Sequence, residues 1–437
     1  MYMHHAKQRN RYLFTVALAS LIMQSMGSSA QPHIYPAPPQ SHKIVLINGT
    51  IHIGNGEVIP RGMIAFDGGK ITAVGERVDT GHAEVIDVSG MQVYPGLIAP
   101  VTNLGLVEVE AVRATRDVDE VGQMIPSVRS IVAYNTDSKV IPTLRSNGIL
   151  LAHIVPEGGL IGPTSSVVQL DAWNWEDALY SKDIGIQLYL PRLYPANPEA
   201  ETRALQQVNT IKRFFQEAAA YYQEPQHTHR NLSFEAVKGL FDRSKILFVH
   251  ADLEKEIWLA LDLARTFHFR TVIVGGADSW RVADELKKHD IAVILRPPHS
   301  LPVTPDDPVD LPYRTAALLQ QAGVLFCIGE EGFWQQRNLP FEAGTAAAYG
   351  LTREQALEAI TLKAAQILGI DALTGSLQAG KDANIVVSRG DILDMRTSKV
   401  EMAFIQGRKI NLDNKQKDLL RRYVYKYGLD IDTTRIY

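Results

Sequence analysis

In this chain of 437 residues, the side chains able to do chemistry gather at the ends of short apolar runs. His250 lies in Phe248-Val249-His250-Ala251-Asp252, Asp278 follows Thr271 to Val274, and Glu330-Glu331 follows Val324 to Ile328. Asn103 trails the run Gly96 to Thr102, while His153, Asp252 and His299 lie near comparable ends. These residue types suit two chemistries. A catalytic zinc needs about three N, O or S ligands and an open position for water. His250, Glu330 and Asn103 are the candidate ligands and Asp278 a further donor, an oxygen-rich and weakly zinc-selective set. Without a metal, a carboxyl pair such as Glu330 and Asp278 does acid–base work when its surroundings push the two pKa values apart. In the plainer reading, His250 is hydrogen-bonded to Asp278 or Glu330, and one of Glu330 and Glu331 points inward while the other is solvated. Cys327 is the single cysteine and sits in an apolar run, so it reads as a buried small hydrophobe. No Gly-x-Ser-x-Gly elbow is present.

A frame has to position those residues. Strand-like runs fill the middle of the chain: Gly96 to Thr102, Ile149 to Val155, Val167 to Leu170, Ile186 to Leu190, Ile246 to His250, Thr271 to Val274, Ile291 to Leu295 and Val324 to Ile328. Between the later ones lie amphipathic helices. Leu253, Ile257, Leu261, Ala264 and Phe267 form one stripe; Leu205, Val208, Ile211, Phe215 and Ala218 form another. Apolar strands alternating with helices indicate a parallel sheet covered on both faces. The expectation is an α/β fold, a (β/α)8 TIM-like barrel over 96–374. An open doubly wound sheet is the runner-up, and no G-x-G-x-x-G follows a strand to support it.

Short β units flank the barrel. Ile44 to Ile47, Gly62 to Phe66, Lys70 to Val74 and Glu84 to Val88 are separated by Asn48-Gly49, Asn55-Gly56 and Asp67-Gly68-Gly69, which suit tight turns. Ala383 to Ser388 and Val400 to Gln406 repeat the signal at the far end. Together 43–95 and 375–410 predict a small composite β-sandwich domain built from both chain ends. Thr352-Arg353-Glu354-Gln355 is a capping box that opens a helix. The basic, aromatic segment 411–437 reads as a helical tail docked on the surface.

Composition narrows the partners. The formal charge is -4, and without Lys7, Arg9 and Arg11 the chain holds 41 basic against 48 acidic residues, or -7. No basic stripe suggests nucleic acid. The N-terminus has the layout of an export signal: basic residues to Arg11, an apolar run from Tyr12 to Met23, then Gly27-Ser28-Ser29-Ala30 before Gln31. Residues 1–30 are the expected signal peptide and 31–42 a Pro-rich linker. The mature chain is expected to be exported, periplasmic or secreted, with no membrane attachment after cleavage.

Four stretches carry a family resemblance. They are Pro95-Gly96-Leu97-Ile98 with Leu104-Gly105-Leu106; Val128 to Asn135; Asn338-Leu339-Pro340-Phe341-Glu342-Ala343-Gly344 running on to Tyr349-Gly350-Leu351-Thr352; and Gly375-Ser376-Leu377-Gln378-Ala379-Gly380-Lys381-Asp382-Ala383-Asn384. In order and spacing they resemble the amidohydrolase superfamily, in its imidazolonepropionase-like branch, over roughly 43–410. The resemblance implies the barrel and composite domain above, with one or two divalent metals at the C-terminal mouth. There the metal activates a water against a carbonyl-type carbon and a strand-8 Asp shuttles the proton.

Carried onto this chain, the strand-1 histidine pair falls on Val101 and Asn103, and the strand-5 His on His250. The strand-6 His falls on Gly275 or Gly276, and the strand-8 Asp on Glu330. Val101 cannot ligate, and Asn103 is a weak neutral oxygen donor. The expectation is therefore an exported, degenerate family member with impaired or absent metal-dependent hydrolysis, holding no metal or a weakly bound divalent ion, zinc if any. It would bind an unknown small molecule at the mouth and act as a binding or partner subunit, as a homo-oligomer or beside a catalytically complete relative. The alternative is an active hydrolase of non-peptide C–N bonds, in a cyclic amide or N-acyl substrate, with an atypical site. His250, Glu330 and Asp278 would be its catalytic residues.

Overall fold

The computed structural model describes residues 36–431 apart from 195, 196, 225 and 227. The expected signal segment, the first part of the linker and residues 432–437 lie outside the described residues. The strands, in chain order, are β1 (Ile44–His52), β2 (Val58–Asp67), β3 (Lys70–Gly75), β4 (Glu84–Asp87) and β5 (Gln92–Pro95). They continue with β6 (Leu97–Thr102), β7 (Ile149–Ile154), β8 (Ile161–Gln169), β9 (Leu179–Tyr189) and β10 (Ile246–Ala251). The last are β11 (Arg270–Gly275), β12 (Ala292–Leu295), β13 (Phe326–Ile328), β14 (Ile385–Ser388), β15 (Val400–Ile405) and β16 (Arg408–Lys409).

Both chain ends join in one sheet. Its order is β16-β15-β14-β5-β1-β2-β3, with β4 beside β1. The antiparallel pairing of β14 with β5, Ile385 opposite Pro95, is the step that unites the two ends. Alternation along β1 and β2 buries Leu46, Ile51, Ile64 and Phe66 in a core shared with Ile385, Val387 and Phe404. The composite domain expected from the sequence is present, as a single hydrogen-bonded sheet.

The second sheet, β13-β12-β11-β10-β9-β8-β7-β6, curls into a nearly closed barrel. Its strands are buried almost throughout because helices such as Glu254–Phe267 cover the outside, so the apolar runs read from the sequence are continuous. One strand departs from the (β/α)8 pattern: β8 is antiparallel to both β7 and β9. The links explain it. Residues 155–160, with Gly158 and Gly159 at φ +86° and +74°, are too few for a crossover helix, since a complete crossover takes about 10–12 residues or more. The link after β8 holds only the helical turn Trp175–Ala178.

Between β13 and β6 the closure is not a strand ladder. At the lower end, Ile328 N donates to Ala359 O (3.1 Å) and Ile98 N to Ile360 O (3.0 Å), so the segment before the helix Leu362–Leu368 fills the gap. At the upper end, the fully buried Gln336 brings its side-chain amide within 2.9 Å of Val101 O, 2.6 Å of Glu330 O and 2.9 Å of Gly332 O. Thr102 Oγ1 adds a bond to Gly332 O at 2.8 Å. The barrel is also pinned to the composite sheet through Asp171, which accepts from Arg145, from Arg408 (3.1 Å) and from Ala37 N (2.8 Å). The tail helix, Lys415–Tyr427, is capped by Asn414. No described helix is long and apolar enough to cross a membrane.

If the amide of Gln336 closes the seam, Gln336→Leu leaves buried carbonyls without a donor. The expected loss is about 1–3 kcal/mol in chemical denaturation, and a midpoint unchanged from the parent would contradict the role.

Candidate functional site

Seven of the eight barrel strands run the same way, so their C-terminal ends open on one side. A cavity of about 500 Å³ lies there, lined by Val101, Asn103, Tyr189, His250, Gly275, Arg296 and Glu330 among others. All five positions that matter for the family's ligand set therefore meet around one space. Asp278 does not join them. Its carboxylate accepts from Glu254 N (3.0 Å) and Arg281 Nε (3.1 Å), which ties it to the start of the helix Glu254–Phe267, behind the cavity wall.

Each mouth residue has a definite partner. Asn103 Nδ2 donates to Glu157 Oε1 at 2.8 Å. His250 contacts Gln187 Oε1 through Nε2 (2.9 Å) and stacks on Tyr189, with ring centroids 4.0 Å apart. Gln187 Nε2 donates to Ser165 Oγ (2.8 Å), which meets His153 Nε2 (2.8 Å), and His153 Nδ1 meets Pro100 O (2.8 Å). His153 is thus a barrel-interior histidine below the mouth. Burial pushes it down to about 4 and His250 to about 3, the latter helped by His153 nearby, so both imidazoles are neutral near pH 7.

On β11, glycine makes room for a different pair. A Cβ on Gly275 would stand 2.7 Å from Asp252 Oδ1, at a φ of +105° that side chains rarely adopt. Asp252 in turn binds Arg296 Nη1 at 2.9 Å, and Arg296 Nη2 lies 3.7 Å from Glu331. Of the two glycines on which the resemblance sets an imidazole, Gly275 or Gly276, the first has its side-chain space taken by the Asp252–Arg296 ion pair. Glu331 is exposed, while Glu330 is buried and accepts from the backbone of Glu331 (2.8 Å).

The partner of Glu330 is a residue that chemistry alone did not single out in the sequence. Glu342, 1% exposed on the helix Leu339–Ala348, shares a hydrogen bond with Glu330 and takes His299 Nδ1 at 2.8 Å and His299 N at 2.7 Å. Burial is the first cause that lifts both carboxyls to about 7. The only signal for Glu342 was its place in one of the four family-like stretches. Gln187 carried no signal at all. Glu108 and Glu110 line a separate cleft with Lys139 and Trp334, away from the mouth. Cys327 is buried in β13, where desolvation raises its thiol far above the usual range.

The donor set does not fit the ion that the family would hold here. Val101 and Gly275 offer no side-chain ligand, Glu330 is bound up with Glu342, and His250, whose Nε2 meets Gln187, offers Nδ1 alone. Among the described residues, no group of three or more His, Cys, Asp or Glu side chains is placed to hold a metal ion.

The carboxyl pair makes stability depend on pH. Its members have pKa values above the ordinary 4.5, so the folded chain keeps protons that the unfolded chain releases. The stability they contribute is complete below pH 4.5 and is lost as pH rises through about 7. Denaturation midpoints across that window should fall less steeply in Glu342→Gln than in the parent. Equal slopes would exclude the shared proton.

Comparison with known proteins agrees with the fold. Residues 335–410 match the model of the amidohydrolase family. The amidohydrolase tasK of Hapsidospora irregularis is 35% identical over 111 residues, a stretch covering 23% of this chain and 11% of that protein. An amidohydrolase from Thermotoga maritima superposes with a TM-score of 0.75 at 23% identity, over 84% of this chain and 99% of that one. A prolidase crystallised with N-methylphosphonate-L-proline gives 0.55 at 17% identity (84% and 99% covered), and molinate hydrolase gives 0.55 at 14% (85% and 95% covered). At these identities the structural likeness is one of fold. The family model thus covers the C-terminal stretch 335–410, and the barrel-plus-sheet architecture is the fold of the amidohydrolases it superposes on.

Proposed function

We propose that this protein is an exported amidohydrolase-superfamily barrel that binds a small molecule at its mouth without metal-dependent hydrolysis. It would act as a binding subunit, as a homo-oligomer or beside a catalytically complete relative. The observation that carries the reading is the set of side chains around the cavity. Val101 and Gly275 stand where two imidazoles are expected, and the remaining His250 is held by a glutamine. The neighbours' hydrolase names bear on shared descent; function lives in the site.

A second reading is favoured by one feature. Glu330 lies at the cavity with its carboxyl held up near 7, a value suited to general acid–base work. Under that reading the protein hydrolyses a non-peptide C–N bond in a cyclic amide or N-acyl substrate, through Glu330 and His250.

Two measurements test these statements. Protein purified without chelator should contain far less than one zinc per chain by elemental analysis, and should show no turnover of N-acyl or cyclic amide substrates beyond that of His250→Ala and Glu330→Ala. Stoichiometric zinc overturns the metal-free reading; turnover abolished by both substitutions establishes the second. Export is supported by the basic and apolar order of residues 7–23 and the small residues after it. The secreted or periplasmic chain should begin at Gln31 by intact mass, and an uncut chain retained in the cytoplasm would remove this part of the proposal.

A further inference from the structure

The polar chain beneath the mouth has a direction, and it starts at a carbonyl. Pro100 O can only accept, so the His153 nitrogen 2.8 Å away, Nδ1, carries the proton. The imidazole is fully buried and neutral, which leaves Nε2 as a lone pair facing Ser165 Oγ at 2.8 Å. The single hydroxyl hydrogen of Ser165 goes there, since the competing Gly185 O is 3.3 Å away. Ser165 Oγ then accepts from Gln187 Nε2 at 2.8 Å. The Gln187 amide is thereby oriented, with Oε1 toward His250 Nε2 at 2.9 Å, and that nitrogen must carry the hydrogen. Reversing the amide would draw the Ser165 hydrogen away and set two lone pairs against each other at His153. His250 Nδ1 is left bare. The ring's hydrogen bond among the described residues is the one through Nε2, and His250 lines the cavity.

The charge around that lone pair is uneven. Of the acidic side chains lining the cavity, Asp252 is paired with Arg296 and Glu330 is bound up with Glu342, which leaves Glu157, Glu256 and Glu331 against Arg192. A carboxylate head would meet both the acidic wall and an acceptor nitrogen. A cationic N–H head meets complementary charge and a fixed acceptor. The Tyr189 ring stacked on His250 keeps the imidazole plane in place, and about 500 Å³ admits a small molecule.

We propose that the mouth takes a small ligand with a cationic nitrogen head, an amine or guanidine, that donates to His250 Nδ1. Gln187, Ser165 and His153 are positioning residues that hold His250 in this acceptor form. The inference deepens the binding role proposed above and rests on it.

Two experiments on the full chain decide it. Long-range 1H–15N spectra of histidine-labelled protein at neutral pH should show His250 with its proton on Nε2 and a bare Nδ1. A proton on Nδ1 overturns the assignment. Calorimetric titration in EDTA with agmatine and, in parallel, glutarate should give saturable agmatine binding, with glutarate at least about tenfold weaker, a difference of about 1.4 kcal/mol. Gln187→Leu should weaken agmatine by about tenfold and mix the His250 tautomers. Tighter glutarate binding, no agmatine binding, or an unchanged affinity in Gln187→Leu each overturn the proposal. If that variant does not fold, the parent's spectrum and the agmatine–glutarate contrast still decide. Zinc content is read separately, so failure of the metal-free reading is distinguishable from failure of the ligand assignment.

Discussion

The barrel depends on how its first and last strands are joined. Strands β6 and β13 share no ladder, and a sheet edge left open there would expose backbone groups and let the mouth spread. One buried amide, Gln336, reaches the carbonyls of Val101, Glu330 and Gly332, and Thr102 adds a second tie. Because these bonds start and end at the residues flanking the cavity, the same device that closes the barrel sets Val101 and Asn103 beside Glu330. The site's outline follows from the closure.

Within that outline, the polar side chains at the mouth are held by hydrogen bonds and an ion pair. A metal would draw imidazoles from several strands inward. Here Asn103 turns to Glu157, His250 turns to Gln187, and the space over Gly275 is taken by Asp252 and Arg296. Asn103, His250 and Asp252 each have a partner that fixes the side chain at the mouth. Buried polar groups are costly unless paired, and the line running from His250 Nε2 through Gln187, Ser165 and His153 to Pro100 pairs the groups beneath the mouth.

Much of the architecture was legible along the chain. The eight barrel strands fall where the Val- and Ile-rich runs lie, and the two β blocks at the ends do form one composite sheet. The reversed direction of β8 was not read, although the short link 155–160 with its paired glycines carried the signal. Strand β5 was missed because its four residues run directly into β6. In the site, the positions around the mouth were readable from the ends of the apolar runs, with the family resemblance saying which of them to compare. Asp278 shares their place at a strand end, yet it faces a helix start, because a strand-end position does not say which way the following loop turns.

The residue types alone determined that Val101 and Gly275 supply no side-chain ligand, since neither side chain has a donor atom. They also indicated a largely parallel sheet covered on both faces, because buried parallel strands need unbroken apolar runs. Only the tertiary structure decided that Glu342 meets Glu330, that Gln336 closes the seam, and that Gln187 orients His250. These are contacts between residues far apart in sequence. A polar side chain in an apolar stretch shows that some partner must exist, but which one is set by the register of the strands around it.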